Sequence, residues 1–225
     1  MELIEYLKTI DTPTLSNAIE LLDVRPRSAG FAPLTVRCLF PELGRMAGYA
    51  VTAQVETVTQ TDRGGPQGHL ELYRLVEASP KPAVVVLQEI GGFGDFAAHC
   101  GEVMATFFTR LGAAGLVSDC GVRDLPEVRA LGFHLFARGA CASHAYFRIV
   151  RTGVPVTICG LPVRPGELLH GDENGLITVP AGDRARLEKA VEEVRSSERR
   201  IMDFVRGSGF TLDGYEAMIR RSYSG

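Results

Sequence analysis

Pro82-Ala83-Val84-Val85-Val86-Leu87, then a glycine loop, the helical spacing of residues 102–111, and finally Gly115-Leu116-Val117-Ser118 form the stretch that decides the fold. The unbroken apolar run after Pro82 is typical of a strand covered on both faces, because a strand wetted on one side alternates apolar with polar residues. Residues 102–111 repeat at helical intervals and residues 115–118 read as the next strand. The unit is β-loop-α-β, which predicts an α/β fold.

Upstream, Asp11-Thr12-Pro13 precedes Leu15, Ala18, Ile19 and Leu22. That pattern predicts a helix from about Thr12 with proline in its first turn, ending before Pro26. Tyr49, Val51, Ala53, Val55 and Thr57 alternate within residues 46–59, the signal of a half-buried strand. A break at Arg63-Gly64-Gly65-Pro66 and a short helix over residues 70–76 lead into the central unit. Downstream, Pro155-Val156-Thr157-Ile158 and Leu161-Pro162-Val163 flank Gly160, and Gly171-Asp172-Glu173-Asn174-Gly175 leads into Leu176-Ile177-Thr178-Val179. These are short strands joined by tight turns. From about Asp183 the chain is charged and helical, with Leu187, Val191 and Val194 on one stripe.

The 225 residues, 45% of them hydrophobic, are expected to form one domain over residues 1–225, with a helical extension from about residue 183. A net charge of -3 provides no basic excess for a phosphate backbone, so nucleic acid is not an expected partner. Five cysteines without CxxC spacing, Cys38, Cys100, Cys120, Cys141 and Cys159, fit a reducing compartment. The acidic start MELIEYL is unlike a secretory signal, and no apolar run approaches the roughly 20 residues of a membrane span. A cytoplasmic protein acting on small molecules, with no membrane partner, is the expectation.

Gly92-Phe93-Gly94-Asp95-Phe96-Ala97 fits a GxGxxA dinucleotide fingerprint after an apolar strand. The later chain does not continue as βαβ crossovers, so the context that motif demands is missing. The glycine loop and the helix start at Gly101, Glu102, Val103 and Met104 could instead present backbone N–H groups to a carboxylate. A plain tight turn is the other reading.

Glu102 opens a helix after one strand, and Arg123-Asp124 follows the next strand, whose end is marked by Asp119-Cys120-Gly121. Adjacent strand ends bring both positions to one rim. A carboxylate there suits a hard divalent cation, and an arginine fork suits a substrate carboxylate. Alternatively, Asp124 caps the turn before Pro126-Glu127-Val128, and Glu102 merely favours a helix N-terminus.

Gly101-Glu102-Val103-Met104, twenty residues, then Arg123-Asp124 resembles the acid-X20-Arg-Asp motif of the RraA-like family, which includes the class II 4-hydroxy-4-methyl-2-oxoglutarate/4-carboxy-4-hydroxy-2-oxoadipate aldolases. The similarity runs from Asp11-Thr12-Pro13 through Gly132-Phe133 and Phe136-Ala137-Arg138-Gly139 to Pro165-Gly166-Glu167 and the Gly171–Gly175 turn, up to about Pro180. It implies an αββα sandwich around a compact central β structure of swivelling-domain type. It also implies a homotrimer or dimer of trimers with sites between subunits.

The roles implied are Asp124 as ligand of Mg²⁺ or Mn²⁺, Glu102 holding water on that metal, and Arg123 binding a 2-oxo acid. Gly101 and the amides of Val103 and Met104 would help hold its carboxylate. Two departures stand out: the motif acid is commonly aspartate where this chain has Glu102, and Ser143-His144-Ala145-Tyr146 resembles a subgroup of unassigned substrate. His144 is a candidate substrate-binding acid or base, or a hydrogen-bonded histidine at a strand end. Of His69, His99, His134 and His170, none has metal-ligand spacing; His99, near the glycine loop, is the one worth testing. The cysteines read as packing residues, with Cys120 a candidate neighbour of the site through adjacency alone.

The activity implied is metal-dependent retro-aldol cleavage of a 4-hydroxy-2-oxo acid to pyruvate. Oxaloacetate decarboxylation is a side activity, since loss of CO₂ leaves the same pyruvate enolate. Lys8, Lys81 and Lys189 lie outside the motifs, which argues against a Schiff-base aldolase. Other RraA-like proteins inhibit ribonuclease E by protein contact, and that is the alternative function. A menaquinone methyltransferase is rejected for want of an S-adenosylmethionine loop. Specificity is expected from residues 60–70, 93–99 and 140–147, with Phe93, Phe96 and Tyr146 either narrowing the pocket or merely packing.

Overall fold

The structure, a computed structural model, describes residues 2–60 and 65–222. In chain order the helices are α1 (Leu3–Leu7), α2 (Thr12–Leu21), α3 (Gln67–Ala78), α4 (Glu102–Arg110), α5 (Leu125–Ala130), α6 (Arg184–Arg206) and α7 (Leu212–Ser222). The strands are β1 (Arg37–Cys38), β2 (Met46–Glu56), β3 (Ala83–Glu89), β4 (Ala113–Ser118), β5 (Gly121–Val122), β6 (His134–Ala137), β7 (Gly139–Ala140), β8 (Arg148–Thr152), β9 (Val156–Ile158), β10 (Leu161–Val163), β11 (Leu168–Asp172) and β12 (Gly175–Val179). Of the expected break at residues 63–66, Arg63 and Gly64 lie outside the described residues, as does Tyr223 at the end of the C-terminal helices.

One curved sheet runs β1-β6-β4-β3-β2-β11-β12, with β8 added to the far half of β2. The middle strands β2, β3, β4 and β6 are parallel, and β11 and β8 pair antiparallel with successive halves of β2. The sheet nearly closes: in the segment before β1, the Ala32 N–H donates to Leu176 O at 2.8 Å and Phe31 bridges Ile177 of β12.

Val84 and Val86 of β3 face inward, against the β9–β10 hairpin residues Val156, Ile158, Leu161 and Val163. Val85 and Leu87 face outward, beneath Leu72 and Val76 of α3 and Phe108 of α4. The period-two geometry of a strand puts alternate residues into two separate cores, and each fully buried Val or Leu contributes about 1.5–3 kcal/mol. A third cluster joins Leu7 of α1, Leu15 and Ile19 of α2, and Leu187 and Val191 of α6 over Ala47 and Ile177. Helical layers therefore cover two sides of a mixed α/β core, as expected.

One local expectation needs correction. The alternation over residues 46–59 predicts a half-buried strand, but β2 is buried along nearly its whole length. Its odd positions Val51, Ala53 and Val55 lie under the helices, and Met46 and Ala50 face the interior hairpin. The helix before Pro26 starts as expected, capped by the Asp11 carboxylate accepting from Thr14 N, with Pro13 in its first turn. The turn after β11 is structural: Asp172, almost fully buried, accepts from Thr12 N at 2.8 Å and from Asn174 N at 2.8 Å. That carboxylate ties the start of α2 to the sheet.

Candidate active site

Parallel pairing of β3 with β4 brings the segments that follow them side by side. Gly121 N donates to Ala97 O at 2.9 Å, His99 N to Gly121 O at 2.8 Å and Arg123 N to Cys100 O at 2.9 Å. Cys141 N donates to Val122 O at 2.8 Å, adding the segment after β7 on the other side. Glu102 and Arg123-Asp124 are thus placed at one rim by main-chain hydrogen bonds, as their positions after adjacent strands predict.

Asp124 adopts a left-handed backbone (φ 56°, ψ 44°) at the start of α5. Such a conformation costs about 1–2 kcal/mol for a residue with a Cβ, although aspartate tolerates it better than most. The capping role at α5, the alternative reading of Asp124, is absent, since its side chain makes no bond to that helix. Instead Asp124 Oδ2 accepts the Glu102 N–H at 2.9 Å, across to the first residue of α4. Arg123 Nε lies 3.7 Å from the same oxygen, and Oδ1 makes no hydrogen bond among the described residues. The strained backbone and the helix N-terminus together hold a carboxylate with one oxygen free.

Gly101 makes this approach possible. Its backbone is extended (φ -138°), so glycine is not needed there for conformation. A Cβ on it would collide with Asp124 Oδ2 and lie 3.0 Å from Arg123 Cγ and 3.1 Å from Arg123 Nε.

Above this pair lies a pocket of about 230 Å³, lined by Gly101, Val103, Met104, Arg123, Asp124 and His144 together with His69, His99, Cys100 and Phe147. Five of the expected site residues besides Glu102 therefore converge with Asp124 on one cavity. Glu102 is exposed and its side chain is not part of the lining; its demonstrated contribution is the N–H on Asp124. His144 is exposed on the 143–146 turn rather than hydrogen-bonded in a strand end, and Ala98 N donates to Ser143 O at 2.7 Å to hold that turn in place. Burial pushes the Cys100 thiol, helped by the Asp124 charge, up to about 12, so it stays protonated. Burial lowers the pKa of His69, favouring neutral imidazole. Phe93 and Phe96 pack against each other as a tilted pair, with centroids 4.9 Å apart, and do not line the cavity. The glycines of the GxGxxA match lie well before α4, so no helix opens on them.

Beneath the pocket is a polar cluster with no local sequence signature. His99 is buried, with Nε2 3.0 Å from Glu89 Oε2 and Nδ1 2.9 Å from Ser118 Oγ. Glu89 also accepts from Thr57 Oγ1 at 3.0 Å and Gly91 N at 2.7 Å. Burial by itself raises the Glu89 pKa, but the bonds from His99, Gly91 and Thr57 outweigh it and hold the carboxyl low. Burial pushes Asp119 up to about 6 and the Cys120 thiol up to about 12. A Glu-His-Ser arrangement of this kind has the composition of a hydrolytic triad, yet the Ser118 hydroxyl is fully buried and already accepts from Cys120 N at 2.9 Å. It cannot reach a substrate.

A larger cleft of about 740 Å³ lies between α2, α6 and β11–β12, lined by Ile19, Leu22, Tyr49, Leu168 and Leu187. It contains none of the converging motif residues, so size is the poorer guide to chemistry here than the charged pair at Arg123-Asp124. Among the described residues no helix is long and apolar enough to cross a membrane.

The RraA-like family model, described as Aldolase/RraA, matches residues 12–178. A Halalkalibacterium halodurans protein provisionally named 4-hydroxy-4-methyl-2-oxoglutarate aldolase is 30% identical over 213 residues, which is 91% of each chain. A solved structure of an uncharacterized protein from Pseudomonas syringae pv. tomato str. DC3000 superposes with a TM-score of 0.69 at 26% identity, covering 94% of both chains. Streptomyces coelicolor RraAS2, described as an unusual member of the RNase ES inhibitor RraA family, gives 0.65 at 23% identity, covering 87% of this chain and 91% of its own, and shows the shared fold. The match over most of the chain, which includes the segment from Gly101 through Asp124, places this protein in the RraA-like family.

Proposed function

We propose that this protein is a divalent-metal-dependent lyase that cleaves a C–C bond of a 4-hydroxy-2-oxo acid to release pyruvate, with oxaloacetate decarboxylation as a side activity. The observation that carries the reading is the convergence of Arg123, Asp124 and the α4 N-terminus on one pocket of about 230 Å³. The relative from Halalkalibacterium halodurans, by its name, supports the same chemistry.

The residues fit a hard cation such as Mg²⁺ or Mn²⁺, because Asp124 offers an unengaged oxygen to an open pocket and such ions keep several waters. When bound, the cation supplies Lewis acidity toward the electron density released at the 2-oxo group. Arg123, half-exposed beside Asp124, retains guanidinium N–H donors for the substrate carboxylate and adds fixed positive charge near the developing enolate. The Val103 and Met104 amides, unpaired as first-turn donors, orient that carboxylate. Glu102, adjacent to Asp124 through its own N–H, is assigned the water beside the cation. His144 on its turn is assigned contact with the distal end of the substrate.

Assembly as a trimer or a dimer of trimers belongs to the same reading. Val103 is 70% exposed and Phe107 50%, apolar surface beside the pocket that a neighbouring subunit would cover. A cytoplasmic setting fits five cysteines that are all free thiols. The test is pyruvate release from oxaloacetate and from 4-hydroxy-4-methyl-2-oxoglutarate, with Mg²⁺ or Mn²⁺ and again after chelation. Chelator-sensitive release supports the proposal; absence of release from both substrates turns the reading toward a protein-binding regulator.

A further inference from the structure

We infer that Glu89, His99 and Cys120 form a second cation site beneath the pocket, an oxygen, nitrogen and sulfur set suited to Zn²⁺ rather than to the hard cation assigned to Asp124. One ligand atom from each residue lies within 4.8 Å of the other two. The Glu89 Oε2 to His99 Nε2 separation of 3.0 Å is close to what two neighbouring ligands of one zinc ion require, since Zn–N and Zn–O bonds are each about 2.0–2.2 Å. Thiolate and imidazole together select borderline-soft ions over Mg²⁺.

The surroundings already hold the ligands in place. His99 Nδ1 is bonded to Ser118 Oγ at 2.9 Å, which leaves Nε2 pointing at Glu89. Glu89 is fixed by Thr57 Oγ1 and Gly91 N. A ligating histidine whose other nitrogen bonds an oxygen, and a ligating carboxylate that is itself hydrogen-bonded, are the outer contacts on which metal affinity depends. A further acid stands beside the cluster: the Glu89 backbone N–H donates to Asp119 Oδ1 at 2.8 Å. Among the described residues no lysine or arginine pairs with either acid.

Binding replaces the Cys120 S–H bond by a sulfur–metal bond and the His99 Nε2–H to Glu89 hydrogen bond by metal bonds to both atoms; the thiol proton leaves to solvent, and the imidazole proton moves to Nδ1, where Ser118 Oγ accepts it. The hydrogen bond from Cys120 Sγ to Ala97 O at 2.9 Å is given up in that exchange. Three protein ligands leave a fourth position for water, and His99, which lines the pocket, marks the entry path.

The probe is Co²⁺ added to the chelator-treated full chain, because a cobalt–thiolate bond gives a near-ultraviolet charge-transfer band that carboxylate coordination lacks. One equivalent should produce the band, and Zn²⁺ should abolish it. The band should vanish in Cys120→Ser and persist in Asp124→Asn, and Ser118→Ala should weaken Co²⁺ binding about 10–100-fold through the lost outer contact. No band in the wild type, a band that survives Cys120→Ser, or one lost in Asp124→Asn overturns the inference. Should Cys120→Ser fail to fold, Glu89→Gln decides: unchanged Co²⁺ affinity refutes the site. None of these readouts uses turnover, so the proposed lyase activity can fail while the site stands, and the reverse.

Discussion

Gly101→Ala is the substitution that separates the geometry of the site from its fold. The glycine has an ordinary extended backbone, so alanine meets no conformational penalty there, and loss of unfolded-state freedom should add about 0.4–1 kcal/mol of stability before any clash is counted. The added Cβ would nevertheless collide with Asp124 Oδ2 and press on Arg123. Asp124 must then withdraw from the Glu102 N–H, now at 2.9 Å. A hydrogen bond to a charged group contributes about 1.5–3 kcal/mol, which corresponds to about a 10- to 150-fold loss when it positions a catalytic group. The expected result is kcat/KM for pyruvate release lowered within that range, weaker Mn²⁺ activation, and a melting temperature within a few degrees of wild type. Wild-type turnover and metal activation in Gly101→Ala would show that the Asp124–Glu102 contact does not organise the site.

Asp124→Ala should abolish chelator-sensitive turnover while leaving folding and assembly intact, with the melting temperature lowered by loss of the contact to the α4 N-terminus, checked by thermal unfolding and size-exclusion chromatography; unchanged turnover would remove the metal assignment. Arg123→Lys should raise KM and slow release of pyruvate, because one ammonium cannot replace a planar fork, and equal kinetics would count against the carboxylate role. Glu56 supplies a pH test: burial raises its pKa, but hydrogen bonds from Thr59, Arg148 and Val58 outweigh that and bring it to about 2 from 4.5. A carboxyl depressed in the folded state stabilises above its unfolded pKa and loses that contribution as pH falls through the folded value. Urea midpoints of wild type and Glu56→Gln should therefore differ most above about pH 4.5 and converge toward about pH 2; a constant gap across that window would refute the Arg148–Glu56 account.

The central unit was legible because its signals are local. The run after Pro82 becomes β3, the helical spacing becomes α4 at Glu102, and Gly115-Leu116-Val117-Ser118 falls within β4. Two parallel neighbours necessarily carry their following loops to one rim, so Glu102 and Arg123-Asp124 could be brought together on paper. The strands β6, β8 and β11 escaped that reading, being short and held by pairing with distant partners rather than by their own pattern. The burial of β2 escaped it too, since alternation reports side-chain polarity and cannot say that a hairpin from residues 156–163 fills the inner face.

What the sequence determined by itself is the family, the β-loop-α-β frame and the residue types at the motif, all of which depend on neighbours within one or two elements. Only the tertiary structure decided that Asp124 caps α4 instead of α5, that Gly101 is small for the sake of a carboxylate, and that Glu102 stands outside the pocket lining. It alone joins Glu89, His99, Ser118 and Cys120, residues on separate strand ends and a loop. Their contacts arise because closing a parallel sheet gathers the ends of its strands. Distance along the chain carries no record of that gathering.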